Sequence, residues 1–175
     1  MKRFLDTRNA HTILDLQRYV PALVTFLENK LTNTASIIYR ETFGIGATEM
    51  RIIVLLGTCS SVSGNEIGQA IGLDKAAVSR ALKSLEALGL IAVTAGFGRR
   101  RDVILTASGR KVHDKGVAIS LRREERLLTG FSQPEQKVLV EFLNRMIAQM
   151  PAVSAVSTEF ATQKVRVKKR RARFA

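Results

Sequence analysis

Apolar residues return at three- and four-residue steps through residues 14–43: Leu16, Val20, Leu23, Leu27, Leu31, Ala35 and Ile38. That spacing marks one face of a long helix. Pro21 falls inside it. Proline suits a first turn and kinks an interior, so the main helix is expected to start near Val20. Gly44 and Gly46 end it, and Thr48 is placed to cap a second helix with Met50, Ile53, Val54 and Leu56 inward, finishing near Thr58. Residues 1–13 are polar and without period, and read as a flexible N-terminal arm.

Ser63-Gly64-Asn65-Glu66 has the form of a capping box, in which the serine oxygen takes a backbone N–H and the glutamate reaches back. A short helix follows, with Ile67, Ala70 and Ile71 on one face and Gly72 as its stop. Asp74 caps the next helix, which turns Val78, Ala81, Leu82 and Leu85 inward and stops at Gly89. Two short helices about a tight glycine-containing turn form a helix-turn-helix. Residues 90–94 and 102–106 are apolar and β-branched, and they flank Gly96-Phe97-Gly98-Arg99-Arg100-Arg101, which makes a hairpin with a glycine-rich basic tip. Thr106 or Ser108 then opens another long helix to about Leu128. Ser132-Gln133-Pro134-Glu135, a second capping box, opens a last helix through Met150, which Pro151 ends.

The expected fold is mainly α with a small β-hairpin wing. A winged helix-turn-helix over residues 47–106 is joined to a helical dimerisation region made of residues 14–46 and 107–150. Residues 151–175, small and polar and then strongly basic, are expected to form a disordered tail.

Charge sharpens this picture. The chain of 175 residues carries 28 lysines and arginines against 15 acids, a net +13. Lys164, Arg166, Lys168, Lys169, Arg170, Arg171 and Arg173 sit in the last twelve residues, and without these seven the charge is still +6. A basic body fits a polyanionic partner, because neutralising phosphates releases condensed counterions. The tail itself reads either as an arm along phosphates or as a solvated end.

Other chemistries find little support. No apolar run follows Met1-Lys2-Arg3-Phe4-Leu5-Asp6, and the longest apolar stretch, residues 52–56, is too short to span a bilayer. The expectation is a cytoplasmic protein with no membrane partner. The lone Cys59 cannot form an intramolecular disulfide, and with no cation nearby in sequence it reads as a packed structural thiol. His11 and His113 are the only histidines, and no ligand-spaced cluster exists, so neither a metal nor a cofactor is expected. Glu124 and Glu125 are adjacent on a helix and diverge by about 100°, so they do not converge on a substrate. There is no phosphate loop and no nucleophile motif, and therefore no enzyme to propose.

The outward face of the helix after Asp74 holds the chemistry. Lys75, Ala76, Ser79, Arg80 and Lys83 share it, and a helix in the major groove reads base edges with residues of its first turns. Arg80 suits bidentate pairing with guanine or a phosphate clamp, Ser79 a base or phosphate, and Ala76 a thymine methyl. The helix N-terminus adds its free N–H groups and dipole. Ser63 and Asn65, at the start of the preceding helix, complete the set on that side. In the wing, Arg99, Arg100 and Arg101 repel one another unless an anion answers them, and a narrow minor groove is such an anion. A solvated basic face is the bland alternative; agreement between helix and hairpin in sign and order argues against it.

The run Leu73-Asp74-Lys75-Ala76-Ala77-Val78-Ser79-Arg80, in its setting from Asn65 to Ile91, resembles the winged helix-turn-helix of the MarR family of bacterial regulators. Tyr39-Arg40-Glu41-Thr42-Phe43-Gly44 and Leu105-Thr106-Ala107-Ser108-Gly109-Arg110 are similar to the family as well, and the likeness extends over about residues 14–150. It implies an obligate homodimer held by the first and the last two helices. It implies a pseudo-palindromic double-stranded DNA operator, repression, and release by a small effector, often phenolic or aromatic. The wall of that ligand site would be Phe26, Lys30, Ile38, Tyr39 and Phe43 with Met50, Arg51 and Val54. Arg51 would pair with a ligand carboxylate or, equally, with a neighbour in the chain. The family's wing tip commonly carries Asp-x-Arg; this one is shorter and lacks that Asp, which leaves Arg100 as the central candidate for the minor groove. The rival reading is a winged-helix protein that binds RNA or ribosomes. Flanking helices that need a dimer partner favour palindromic duplex DNA instead.

Overall fold

The computed structural model describes residues 5–6, 13–59, 61–95, 101–158 and 160. Their elements run β1 (Leu5–Asp6), β2 (Ile13–Leu14), α1 (Val20–Phe43), α2 (Ala47–Thr58), β3 (Val62–Ser63), α3 (Gly64–Ile71), α4 (Lys75–Ala87), β4 (Ile91–Ala95), β5 (Arg101–Leu105), α5 (Ala107–Leu127) and α6 (Gln133–Ala148). The chain packs as two units, Met1–Arg122 and Arg123–Ala175.

The core of the first unit lies where α2 crosses beneath α3, α4 and the sheet. Ile45, Met50, Ile52, Ile53, Leu56, Ile67, Val78, Leu85 and Val103 are buried there. Each such side chain contributes about 1.5–3 kcal/mol by leaving water. Tyr39 joins the cluster from α1, and Val112 and Ile119 pack against it from α5. Three glycines allow close approach. A β-carbon on Gly57 of α2 would collide with the His113 imidazole, one on Gly109 with the Leu90 carbonyl, and one on Gly116 with the Met50 sulfur. Tyr39 Oη and Ser120 Oγ share a hydrogen bond of 2.8 Å, which ties α1 to α5.

The sheet has the order β3-β5-β4, antiparallel throughout. Val103 pairs with Val93 on one side and Val62 on the other. The hairpin was expected, but both strands lie one residue from their expected places, so Arg101 opens β5 instead of closing the tip. β3 has only two residues, too few for a periodic signal, and shows itself only through its pairing with β5. Thr106 secures the exit from the sheet. Its hydroxyl donates to the Gly89 carbonyl at 2.7 Å and accepts from Gly109 N at 3.0 Å, capping α5.

Several expectations need correction. Thr48 does not cap α2: the N-cap is Gly46, which provides no side-chain bond, and Thr48 lies within the helix. Ala70 is exposed, so α3 buries only Ile67 fully, with Ile71 half-buried. Cys59 is exposed, not packed, because α2 ends at Thr58 and the chain turns outward into an extended conformation. In the segment read as an irregular arm, β1 pairs with β2, Leu5 opposite Leu14 and Asp6 opposite Ile13.

In the second unit α6 begins as expected. Ser132 Oγ accepts from Glu135 N, and the Glu135 carboxylate returns to Ser132 N at 2.8 Å. These bonds from Ser132, side chain first and backbone second, hold the Glu135 carboxyl below the ordinary carboxylate range. The expected end at Pro151 does not occur. α6 ends at Ala148, and the chain is helical again over residues 150–158, with Pro151 in the opening turn where its missing N–H is harmless. Residues 150–158 are therefore not the disordered start of a tail; the basic residues 164–175 lie outside the described residues.

Candidate nucleic-acid interface

The turn between α3 and α4 is built on Gly72, whose φ of 70° lies in the left-handed region that glycine takes without strain. Leu73 N donates to Gly68 O at 3.0 Å, and a β-carbon on Gly68 would stand 2.9 Å from the Leu73 carbonyl oxygen. The turn therefore closes tightly on α3. Asp74 then caps α4, its Oδ1 accepting from Ala77 N at 2.8 Å.

On α4 the two faces separate cleanly. Val78, Ala81 and Leu85 are buried and Leu82 is half-buried, within an arc of about 100°. Lys75, Ala76, Ser79, Arg80 and Lys83 are all exposed and fall in another arc of about 140°. Among the described residues none of these three cations has an ion-pair partner. An anion at this face therefore meets charge that no carboxylate already answers. The first turn itself is different from the expectation: the Asp74 carboxylate already occupies the helix N-terminus, so attraction for phosphate there rests on side chains more than on the helix dipole.

Asn65 is exposed in the first turn of α3. Ser63 is half-buried and spent on capping: its Oγ donates to Glu66 Oε2 at 2.7 Å and accepts from Glu66 N. Arg101 is exposed at the start of β5, opposite Ala95. Arg99 and Arg100 lie outside the described residues. A further residue, not found from sequence, orients the wing base. Asp102 pairs with Ser63 across the sheet and its Oδ2 accepts from Ser61 Oγ at 3.4 Å. An aspartate following three arginines reads as charge balance, and only the pairing of β3 with β5 reveals this role.

The candidate ligand residues divide into groups. Tyr39 and Phe43 stack, with centroids 6.4 Å apart, and lie with Ile38, Met50 and Val54 in or against the core. Phe26 and Lys30 lie far from them, about 18 and 12 Å along α1 from Ile38, and pair with each other, the ammonium 5.4 Å from the ring centroid. Arg51 is engaged within the chain: its Nη2 donates to Thr32 Oγ1 at 3.0 Å and stands 3.7 Å from Glu28 Oε1. Among the described residues no group of three metal-ligating side chains comes together, and no helix is long and apolar enough to cross a membrane.

A three-stranded wing beside a helix-turn-helix whose second helix presents free cations defines a winged-helix DNA-binding protein. The MarR family model matches residues 43–101. The structure of a MarR/EmrR family transcriptional regulator from Acinetobacter sp. ADP1 is 34% identical, with a TM-score of 0.75, covering 79% of this chain and 99% of that one. The chain belongs to the MarR family of DNA-binding transcriptional regulators, and is not an enzyme. It is also 28% identical over 111 residues to the uncharacterized HTH-type transcriptional regulator YdgJ of Bacillus subtilis, spanning 59% of this chain and 64% of YdgJ's length. S. aureus MepR, solved in a complex with DNA, shares the fold at 22% identity with a TM-score of 0.69, over 75% of this chain and 98% of MepR.

Proposed function

We propose that the protein is a homodimeric repressor that binds a two-fold symmetric operator. The observation that carries this reading is α4: Lys75, Ala76, Ser79, Arg80 and Lys83 all face solvent, opposite a buried face that fixes the helix. In the major groove Arg80 and Ser79 reach base edges, Ala76 meets a thymine methyl, and Lys75 and Lys83 meet phosphates. Asn65 and the Ser63 turn abut the backbone, and the wing arginines Arg99, Arg100 and Arg101 follow the minor groove. Residues 47–106 make up the DNA-binding part.

A dimer is supported by what the chain leaves uncovered. Val20, Leu23, Val24 and Leu27 are exposed on α1, and α6 buries no residue although it carries Val138, Phe142, Leu143 and Met146. A small effector, aromatic or phenolic in character, would act near Tyr39, Phe43 and Met50, since that cluster joins α1, α2 and α5. Its arrival would shift α2 and with it the helix-turn-helix. Arg51 fits such a ligand only by leaving Glu28 and Thr32.

The test is a mobility-shift titration with duplex DNA from the region upstream of the gene, competed by unrelated duplex and by structured RNA. A retarded complex that resists both competitors supports the reading. Displacement by RNA at equal concentration sinks it in favour of an RNA-binding protein.

A further inference from the structure

We propose that the outer row of α5 is a docking surface for an acidic segment of a partner protein. Ser108, Lys111, Lys115, Ala118 and Arg122 are exposed on that helix and fall in one arc of about 80°. The three cations lie within about 40° of one another and extend over about 16 Å of the helix. The row stands about 100° around α5 from Gly109, Val112, Gly116 and Ile119, which meet the core. Among the described residues none of the three cations has an ion-pair partner. Asp114 and Glu125 fall beyond the Ala118 edge of the row, and Asp114 Oδ1 is engaged by His113 Nδ1 at 2.9 Å. Lys111 and Lys115 stand four residues apart, a placement of like charges that weakens a helix by itself. An anion laid along the row removes that repulsion.

The operator is not that anion. Resting on the DNA reading above, which turns the first turns of α4 and the wing tip to the duplex, α5 departs from the opposite end of both. Thr106 Oγ1 donates to the Gly89 carbonyl at 2.7 Å, and Thr106 N donates to Leu90 O at 3.1 Å. Those partners lie just past the C-terminus of α4, more than about 18 Å along that helix from Lys75. In the wing, Arg101 opens β5 toward the tip, and Leu105, paired with Ile91, closes it at the base where α5 begins. A duplex held by α4 and the wing therefore leaves the row uncovered. A two-fold contact of the row with its own copy would set cation against cation. Carboxylates at three- and four-residue steps on a second helix repeat the spacing of the row, and Arg122 can take one of them bidentately. Such a segment docks while DNA stays bound, so the regulator can hold a partner protein at its operator.

The probe is a fluorescein-labelled polyglutamate peptide, titrated with the full chain at moderate salt, alone and with saturating duplex DNA. Its anisotropy is expected to rise in both cases. The combined variant Lys111→Gln, Lys115→Gln, Arg122→Gln should weaken the peptide at least about tenfold and leave duplex affinity unchanged. A peptide bound equally well by the triple variant, or displaced by duplex DNA, overturns the proposal. So does a triple variant with weakened duplex binding, which gives the row to DNA, or with a weakened dimer, which gives it to the second copy. Acetylation of lysines by acetic anhydride reads the natural chain and does not depend on how the variant folds. The peptide should protect Lys111 and Lys115, and the duplex Lys75 and Lys83. Lys111 and Lys115 left unprotected by the peptide overturn the docking row alone. A duplex that fails to bind the natural protein overturns the DNA reading and leaves the peptide result standing.

Discussion

The imidazole of His113 on α5 lies against the Cα of Gly57 on α2, where a β-carbon would otherwise stand. Its Nδ1 is held by Asp114 Oδ1 at 2.9 Å, and one turn earlier Arg110 Nη1 reaches the Gly57 carbonyl at 3.4 Å. The last turn of α2, which leads into β3 and α3, is thus clasped by α5. Gly57→Ala is expected to lower stability by about 1 kcal/mol. Overpacking costs roughly 1–3 kcal/mol, and the gain from replacing a helical glycine offsets only about 0.5–1. His113→Ala in the same chain should restore most of the loss. Thermal unfolding of the single and double variants checks this, and equal destabilisation with and without His113 would refute the contact.

Gly109 and Gly116 provide a contrast along the same helix. A side chain at Gly109 meets the Leu90 backbone, which cannot swing aside, whereas one at Gly116 meets the flexible end of Met50. Gly109→Ala should cost near the upper end of roughly 1–3 kcal/mol, and Gly116→Ala at most about 1. Denaturant midpoints at unchanged slope measure both, and the reverse ranking would contradict the packing described.

Reading and anchoring separate on DNA. Arg80→Ala should cost roughly 1–3 kcal/mol per half-site and relax sequence preference. Arg101→Ala should weaken specific and non-specific duplexes about equally, and flatten the dimer's slope of log affinity against log salt by about 2. Fluorescence anisotropy at several salt concentrations distinguishes them. Loss of specificity from Arg101→Ala with none from Arg80→Ala would exchange their roles.

The start of α6 should depend on pH. The Glu135 carboxyl is held below its ordinary value of 4.5 by its bonds to Ser132, so the folded form favours the ionised state. The capping contribution is complete above pH 4.5 and is lost as pH falls through the lowered value. Amide protection in the first turn of α6 should fall with acidification over that window, and Ser132→Ala should remove the dependence. A pH-independent first turn in the natural protein would refute it.

Much of this was legible in the chain because it is local. Ser63-Gly64-Asn65-Glu66, Asp74 and Ser132-Gln133-Pro134-Glu135 cap their helices as expected, since a cap needs partners only three residues away. The exposed face of α4 followed from its period. Periodicity also correctly turned Val78, Ala81 and Leu85 inward, because a 3.6-residue repeat decides which side meets a core before that core is known.

Only the tertiary structure decided the rest, and the reasons lie in contacts distant in sequence. β3 exists because β5 completes it, and Asp102 gained its place on Ser61 by the same pairing. Pro151 reads from the sequence as a stop, yet a proline both ends one helix and fits the first turn of the next, and only the backbone on its far side tells which. Cys59 looked packed because cysteines usually are, but the end of α2 turns it out to solvent. The sequence leaves Arg51 equally open to a ligand carboxylate or to a neighbour in the chain, and its bonds to Thr32 and Glu28 arise because α1 and α2 lie side by side. The exposed residues of α4 were set by local period; which wing residue, glycine and arginine stand beside them was set by long-range packing, since chain neighbours carry no information about partners that folding brings from tens of residues away.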